Sequence, residues 1–102
     1  MPTLHTVNKS PFEKNALMSC LTHASPGSAV LLLEDGVYGA LRNTIVQEAV
    51  TQALGSVKVY ALGPDLKARG CAEERLIVGV AVVDYAGFAD LAAEYAKVQA
   101  WL

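Results

Sequence analysis

The chain has 102 residues, of which 53 % are hydrophobic and 18 % are charged, and its formal net charge at pH 7 is -2. This length fits a single domain over residues 1–102, and the small negative charge without a basic run argues against direct nucleic-acid binding. The longest apolar runs are about one strand long, well below the roughly 18 residues that a membrane-spanning helix needs. The N-terminus also lacks the charged and apolar regions of a signal peptide.

The apolar fraction is high for so small a chain, and the mean hydropathy is positive. A core of this size hides only part of that apolar surface, so the composition predicts an oligomer or a multi-protein complex. The two cysteines, Cys20 and Cys71, are too few for a disulfide framework. We therefore expect reduced thiols in a cytoplasmic protein.

The first elements in chain order are a short strand and a helix. Leu4–Val7 alternates as a strand does, and a helix is expected to follow at once. Ser10 is a candidate N-cap, Pro11 stands at the first helical position, and Glu13 is placed to close a capping box. Helical spacing puts these residues on one apolar stripe: Phe12, Ala16, Leu17, Cys20, Leu21 and Ala24.

A buried strand is predicted within Ala29–Gly36. Five apolar residues in a row are preceded by Pro26-Gly27 and followed by Asp35-Gly36, which are turn signals. Strands that are apolar on both faces are typical of parallel sheets, because the crossover helices cover both sides. This segment predicts an α/β architecture.

The next elements repeat the pattern. Thr44 predicts a second helix that ends before Gly55, after the tight connection 36–41. The strand Val57–Leu62 follows, with Lys58 marking an accessible end or edge. The expected apolar face of this second helix consists of Ile45, Val46, Ala49, Val50, Ala53 and Leu54.

The last third of the chain predicts a short helix, a strand and a longer helix. Leu66–Arg69 is long enough for one or two helical turns, and Cys71–Arg75 is expected to be an exposed loop. Ile77–Val83 contains the fourth strand, and Asp84 is the N-cap of the last helix. Inward positions of that helix are Phe88, Leu91, Ala92 and Tyr95. The indole of Trp101 is expected to dock on its own domain or on a neighbouring subunit.

This order of elements predicts a small, open, mostly parallel α/β sheet of four to five strands with flanking helices, of the flavodoxin-like class. Ligands of such sheets bind at the carboxyl ends of the strands. The residues expected there form an acidic rim: Asn8, Lys9, Glu34, Asp35, Asp65, Asp84 and Tyr85. Because the rim lacks a glycine-rich phosphate loop, we expect no nucleotide or flavin cofactor.

The acidic rim has two interpretations. Several carboxylates at one edge can hold a divalent cation. We favour the alternative, in which Asp65 and Asp84 cap helices and Asp35 belongs to a turn with Gly36. On this interpretation the rim holds no metal.

The thiols are the remaining reactive groups. Cys20 is a candidate nucleophile, and His23, three residues later, is a candidate base for it. However, Cys20 lies in the middle of an apolar stripe and toward a helix C-terminus, where the helix dipole disfavours a thiolate, so a buried structural role is favoured. Cys71 is interpreted as an incidental surface cysteine, and His5 is either a rim residue or a packed one.

Four segments and one aromatic residue resemble the DsrH/TusB family nearly from end to end. The segments are Leu4–Phe12, Leu33–Val37, Lys58–Gly70 and Val83–Phe88, and the aromatic residue is Trp101. The resemblance implies a subunit of a cytoplasmic DsrEFH-type sulfurtransferase complex, a hetero-hexamer with two copies each of three related chains. Its partners would be DsrE-type and DsrF-type subunits and the sulfur carrier DsrC, and its process would be dissimilatory sulfur oxidation.

The same resemblance leaves an alternative. TusB, in the sister branch, is a subunit of the TusBCD complex, which relays sulfur toward 2-thiolation of a tRNA wobble uridine. In both branches the implied chemistry is persulfide relay between cysteines. DsrH-type chains have a cysteine at the position of Cys20 that TusB-type chains can lack, so its presence favours the sulfur-oxidation branch.

The family places its main sulfur-accepting cysteine in the DsrE/TusD-type subunit. This chain is therefore either a carrier that is persulfidated on Cys20 or an architectural subunit whose apolar surface completes the complex. The buried position expected for Cys20 favours the architectural role. We accordingly expect a non-catalytic or auxiliary subunit with Cys20 as a secondary sulfur site.

Overall fold

The centre of the molecule is a parallel sheet of five strands, described by a computed structural model of residues 2–102. The strands are β1 (Leu4–Val7), β2 (Ala29–Leu32), β3 (Lys58–Leu62), β4 (Ala81–Val83) and β5 (Val98–Trp101), in the order β4-β3-β2-β1-β5. The predicted open parallel α/β sheet is confirmed. Its strand order, which the sequence left open, differs from the flavodoxin order 2-1-3-4-5.

In the described part of the chain, residues 2–102, four α-helices connect or follow the strands. They are α1 (Ala16–His23), α2 (Gln47–Ala53), α3 (Gly63–Ala68) and α4 (Tyr85–Glu94). The connections after β2 and α3 contain the 3-10 helices Glu34–Ala40 and Glu73–Arg75, respectively. Among residues 2–102, no helix is long and apolar enough to cross a membrane.

The two faces of the sheet are covered unequally. On one face, Val7, Val30 and Val59 pack with side chains of α1, α2, α3 and the first 3-10 helix. On the other face, Leu4 and Leu31 pack against Leu91 of α4. The strand β2 lies in the centre of the sheet and all of its residues are buried, as its apolar sequence predicted.

The prediction that Ser10 caps α1 is wrong. The Ser10 side-chain oxygen accepts a hydrogen bond from Phe12 N at 3.2 Å, and its carbonyl accepts from Glu13 N and Lys14 N. These bonds close a turn, and α1 begins only at Ala16. Serine hydroxyls close turns and cap helices with the same kind of bond, so the local signal did not distinguish the two. Phe12, outside the helix, is 52 % exposed rather than part of the apolar stripe.

The second helix also begins later than predicted. Thr44 Oγ1 accepts from Val46 N in a turn before α2, which begins at Gln47. Val46 and Val50 are buried as expected, but Ile45 is 88 % exposed. The predicted apolar face was wrong at Ile45 because helical periodicity does not apply to a residue that precedes the helix.

The last helix begins as predicted. Asp84 Oδ1 accepts a hydrogen bond from Gly87 N at 2.8 Å, which is the N-cap arrangement. Leu91 is buried and Phe88 and Tyr95 are partly buried, whereas Ala92 is exposed, contrary to the prediction. Asp65, by contrast, lies within α3 and is not its N-cap.

We expect Asp84→Ala to lower the free energy of unfolding by about 1 kcal/mol, because α4 loses the acceptor for Gly87 N. Chemical denaturation followed by circular dichroism measures the change. Asp90→Ala is the matched control, since Asp90 is an exposed residue of the same helix away from its N-terminus. Equal losses in the two variants would contradict a capping role.

A fifth strand completes the sheet at the edge formed by β1. Residues 98–101 pair with β1 in parallel, and Trp101 lies level with Val7. The indole docks on its own domain, which is one of the two placements expected for it. Val98 and Trp101 thus belong to a strand that is hydrogen-bonded to β1.

Candidate functional site

Cys20 lies on α1, on the side that faces the sheet. It is fully buried, and it packs in the larger hydrophobic cluster with Leu17 of the same helix. The helix places it there because Leu17 and Cys20 are three residues apart and share one face. The predicted burial of Cys20 is confirmed.

The chemistry of this thiol follows from its burial. Desolvation disfavours the charged thiolate and raises the pKa of Cys20 from its ordinary value of 9.0 to about 12. The thiolate is the form that attacks a sulfur atom. In the isolated chain Cys20 is therefore a neutral, enclosed thiol at physiological pH.

His23, the candidate base for Cys20, makes other contacts. Its Nδ1 lies 2.8 Å from the carbonyl oxygen of Ser19, which only accepts, so Nδ1 donates this bond. Its ring centroid lies 5.9 Å from that of Trp101. The side chain is exposed at the end of α1, whereas Cys20 is enclosed. Both contacts orient the imidazole without involving the thiol.

The prediction that Cys71 is a surface cysteine is wrong, because only 7 % of it is exposed. The amide of Cys71 donates to Leu66 O and that of Gly70 donates to Lys67 O, with Gly70 at a φ of +66°. This pair of bonds is the Schellman motif, in which the residue after the glycine packs on the last turn of the helix. The apolar Leu66 followed four residues later by Gly70 was the signal in the sequence that marks this motif.

Cys71 borders a surface depression of about 310 Å³. Its thiol lies 3.8 Å from Arg69 O, a weak contact. The depression is lined by Gly63, Leu66, Lys67, Cys71 and Glu73. Its polar side chains are thus a lysine and a glutamate of opposite charge.

The carboxylates of the acidic rim accept hydrogen bonds from nearby groups of the chain. Arg69 Nε donates to Asp35 Oδ1 at 2.9 Å, and Asp65 Oδ2 accepts from Glu34 N at 2.6 Å. The hydrogen bond that Arg69 donates to Asp35 raises the pKa of Arg69 above its ordinary value, so the guanidinium stays charged. These contacts fasten the loop after β2 to α3.

Asn8 joins the rim from the end of β1. Its Nδ2 donates to Glu34 Oε2 at 3.3 Å, and its buried Oδ1 accepts no hydrogen bond from the described residues. Within residues 2–102, no three side chains of His, Cys, Asp or Glu are grouped so as to hold a metal ion. Two of the rim carboxylates form structural contacts: Asp84 with Gly87 N, and Asp35 with Arg69.

A contact between His5 and Trp101 was not anticipated from the sequence. Trp101 Nε1 donates to His5 Nδ1 at 3.0 Å, and the two ring centroids are 6.1 Å apart. His5 is only 5 % exposed, so it is the packed residue that was one of its two possible interpretations. The two residues lie 96 positions apart, and no local pattern could have paired them.

The surface retains a set of large apolar side chains. Their presence agrees with an apolar fraction that exceeds what the core encloses. Such side chains are candidate contacts for other subunits. The set comprises Phe12, Met18, Ile45, Val78, Tyr85, Val98 and Leu102.

The fold is shared with solved structures. The chain is similar to the YchN protein from Escherichia coli, with a TM-score of 0.80, 19 % identity, and coverage of 98 % of this chain and 99 % of that one. It is also similar to the protein MTH1491 from Methanobacterium thermoautotrophicum, with a TM-score of 0.74, 21 % identity, and coverage of 95 % and 96 %. These likenesses define a class of small parallel α/β proteins.

Sequence comparison identifies the family within that class. Residues 9–98 match the family model described as DsrH like protein. The chain is 36 % identical to protein TusB of Pectobacterium parmentieri over 99 residues, covering 96 % of this chain and 99 % of that protein. It is 34 % identical to protein TusB of Shigella flexneri over 98 residues, with the same coverage. The chain belongs to the DsrH family, as its sequence motifs predicted.

Proposed function

We propose that this chain is a TusB-type subunit of a cytoplasmic sulfur-relay complex that supplies sulfur for 2-thiolation of a tRNA wobble uridine. The observation that supports this proposal most directly is the identity of 34 to 36 % to proteins named TusB over nearly the full length of both chains. In the relay, an acceptor thiolate attacks the outer sulfur of a donor persulfide. The donor sulfur–sulfur bond breaks, the donor leaves as a thiolate, and the acceptor becomes the persulfide.

Within this complex we propose an architectural role for the chain. Cys20 is buried and the pKa of its thiol is raised to about 12, which makes it a poor acceptor. The exposed apolar residues provide surface for the sister subunits, which would be of the TusC/DsrF and TusD/DsrE types. Sulfur transfer would then take place on the cysteine of a sister chain.

A second candidate function is the corresponding role in dissimilatory sulfur oxidation, with DsrC as the partner carrier protein. The observation that favours it is Cys20 itself, since TusB-type chains can lack a cysteine at this position. On this alternative Cys20 would serve as a secondary sulfur site. The proteins named TusB support the tRNA branch more strongly.

Deletion of the gene in its native host separates the two branches. The tRNA branch predicts that 2-thiouridine in tRNA, measured by mass spectrometry of nucleosides, falls at least about tenfold, as for loss of an essential relay step. The wild-type gene should restore the modification. Unchanged thiolation together with failure to oxidise reduced sulfur compounds would contradict the TusB assignment and support the alternative.

The role of Cys20 has its own test in the assembled complex. After incubation with a persulfide donor, we expect an added sulfur atom on a sister chain and an unmodified Cys20 peptide, because the thiol is enclosed. Cys20→Ala should retain sulfur transfer within about twofold, since alanine keeps a small apolar side chain in the core. Cys71→Ala is the matched control. Persulfide on Cys20, with transfer lost in Cys20→Ala alone, would contradict the architectural role.

A further inference from the structure

The hydrogen bond between Trp101 and His5 depends on the protonation state of His5. An indole N–H only donates, so His5 Nδ1 must accept and cannot bear a proton. The imidazole is therefore neutral, with its hydrogen on Nε2. If Nδ1 gains a proton, two donors face each other and the bond is lost.

This bond joins the edge strand β5 to the neighbouring strand β1. Within the described sheet, β5 pairs with β1 alone, whereas β1 also pairs with β2. Trp101 is the last residue of β5 and packs against the larger hydrophobic cluster. Anchoring of this indole thus secures one end of a strand that has a free edge on its other side.

Burial and the charge of Lys97 both oppose a positive charge on His5. Burial lowers the pKa of His5 below its ordinary 6.5, and the charge of Lys97, just before β5, lowers it further. His23 of α1 faces the same indole, and Cys20 of α1 is a neutral thiol on this side of the sheet. On β2, Val30 is level with His5 and does not titrate.

We propose that His5 and Trp101 form a proton-controlled latch on β5: neutral His5 holds the strand on β1, and protonation of His5 releases the indole and loosens the strand. Because folding favours the neutral imidazole, the stability from this contact is complete above the ordinary pKa of 6.5. It is lost as the pH falls through the lower pKa of folded His5. The latch does not depend on the proposed sulfur relay.

The protein has one tryptophan, which makes the latch directly observable in the full chain. We expect the indole N–H cross-peak in a ¹H–¹⁵N NMR spectrum to shift between about pH 8 and about pH 5, with a midpoint below 6.5. The protection factors of the β5 amides, which correct for the pH dependence of intrinsic exchange, should fall about tenfold over the same range, while those of the β2 amides stay unchanged. An indole signal that does not respond to pH would overturn the latch.

Two variants assign the transition to His5. In His5→Asn, the side-chain oxygen occupies a place similar to that of Nδ1 and accepts without titrating, so the pH response should disappear. In His23→Gln it should persist, since His23 contacts the ring without bonding to Nε1. Loss of the response in His23→Gln would overturn the proposal. If His5→Asn does not fold, ¹⁵N shifts of His5 in the wild-type chain decide: a proton on Nε2 alone at pH 8 supports the latch, and one on Nδ1 refutes it.

Discussion

Gly36→Ala is expected to lower the free energy of unfolding by about 3 kcal/mol or more, because its methyl group has no room. A Cβ at this position would lie 2.1 Å from Val7 O and 2.9 Å from Val7 C. Val7 O also accepts the hydrogen bond from Leu33 N that joins the end of β1 to the residue after β2. The added carbon therefore either breaks this bond or displaces the backbone of two adjacent central strands.

Thermal and chemical denaturation measure the effect of Gly36→Ala. For a chain of about 100 residues, a loss of this size lowers Tm by more than about 12 °C. Gly55→Ala is the matched control, because its Cβ would meet only Gln52 O, at 3.3 Å, and should cost less than about 1 kcal/mol. Similar stabilities for wild type and Gly36→Ala would refute the close contact.

Folding is expected to make the thiol of Cys20 far less reactive than it is in the unfolded chain. At pH 8 we expect Cys20 to react with an alkylating reagent at least about a thousandfold more slowly than the same cysteine in urea. The rise of the pKa from 9.0 to about 12 lowers the thiolate population by about this factor. Complete burial of the side chain slows the reaction further, because the chain must open before the reagent can enter.

Mass spectrometry of quenched time points measures this rate. Cys71→Ala leaves Cys20 as the one thiol, and Cys20→Ala leaves Cys71, which at 7 % exposure should react faster than Cys20. Both variants should react at similar rates in urea. Fast labelling of Cys20 in the folded chain would show that its side chain is accessible to the reagent in solution.

The sequence predicted the sheet and its central strand because that information is local. The residues of β2 are apolar without alternation, which identifies a strand covered on both sides. The cap of α4 was equally clear, since Asp84 stands immediately before a helical pattern. These features depend on neighbours within a few residues.

The predicted starts of α1 and α2 were wrong because the same residue type can cap a helix or close a turn. Ser10 and Thr44 have the hydroxyl that an N-cap needs, but each closes a turn ahead of a helix that begins later. Cys71 follows a charged segment, and only the bonding of its amide to Leu66 O explains its burial. Correct assignment required the tertiary position of these segments.

The candidate site was predicted only in part, because its contacts connect distant segments. The burial of Cys20 followed from its place on the apolar stripe of α1. Asp35 and Arg69 are 34 positions apart and His5 and Trp101 are 96 positions apart, so both contacts depend on which strands lie side by side. Strand order decides those neighbours, and it is a property of the whole chain.

The pairing of β1 with β5 has a consequence for how the protein folds. Pairing β1 with β5 closes a loop that contains nearly the whole chain. The chain loses conformational entropy on closing this loop before the new contacts can compensate, so we expect the pairing to form late. Until then, β1 presents an unpaired backbone edge next to the apolar β2, which is a template for aggregation. The newly synthesised chain therefore passes through a state in which an early-arriving sister subunit or a chaperone would protect it most.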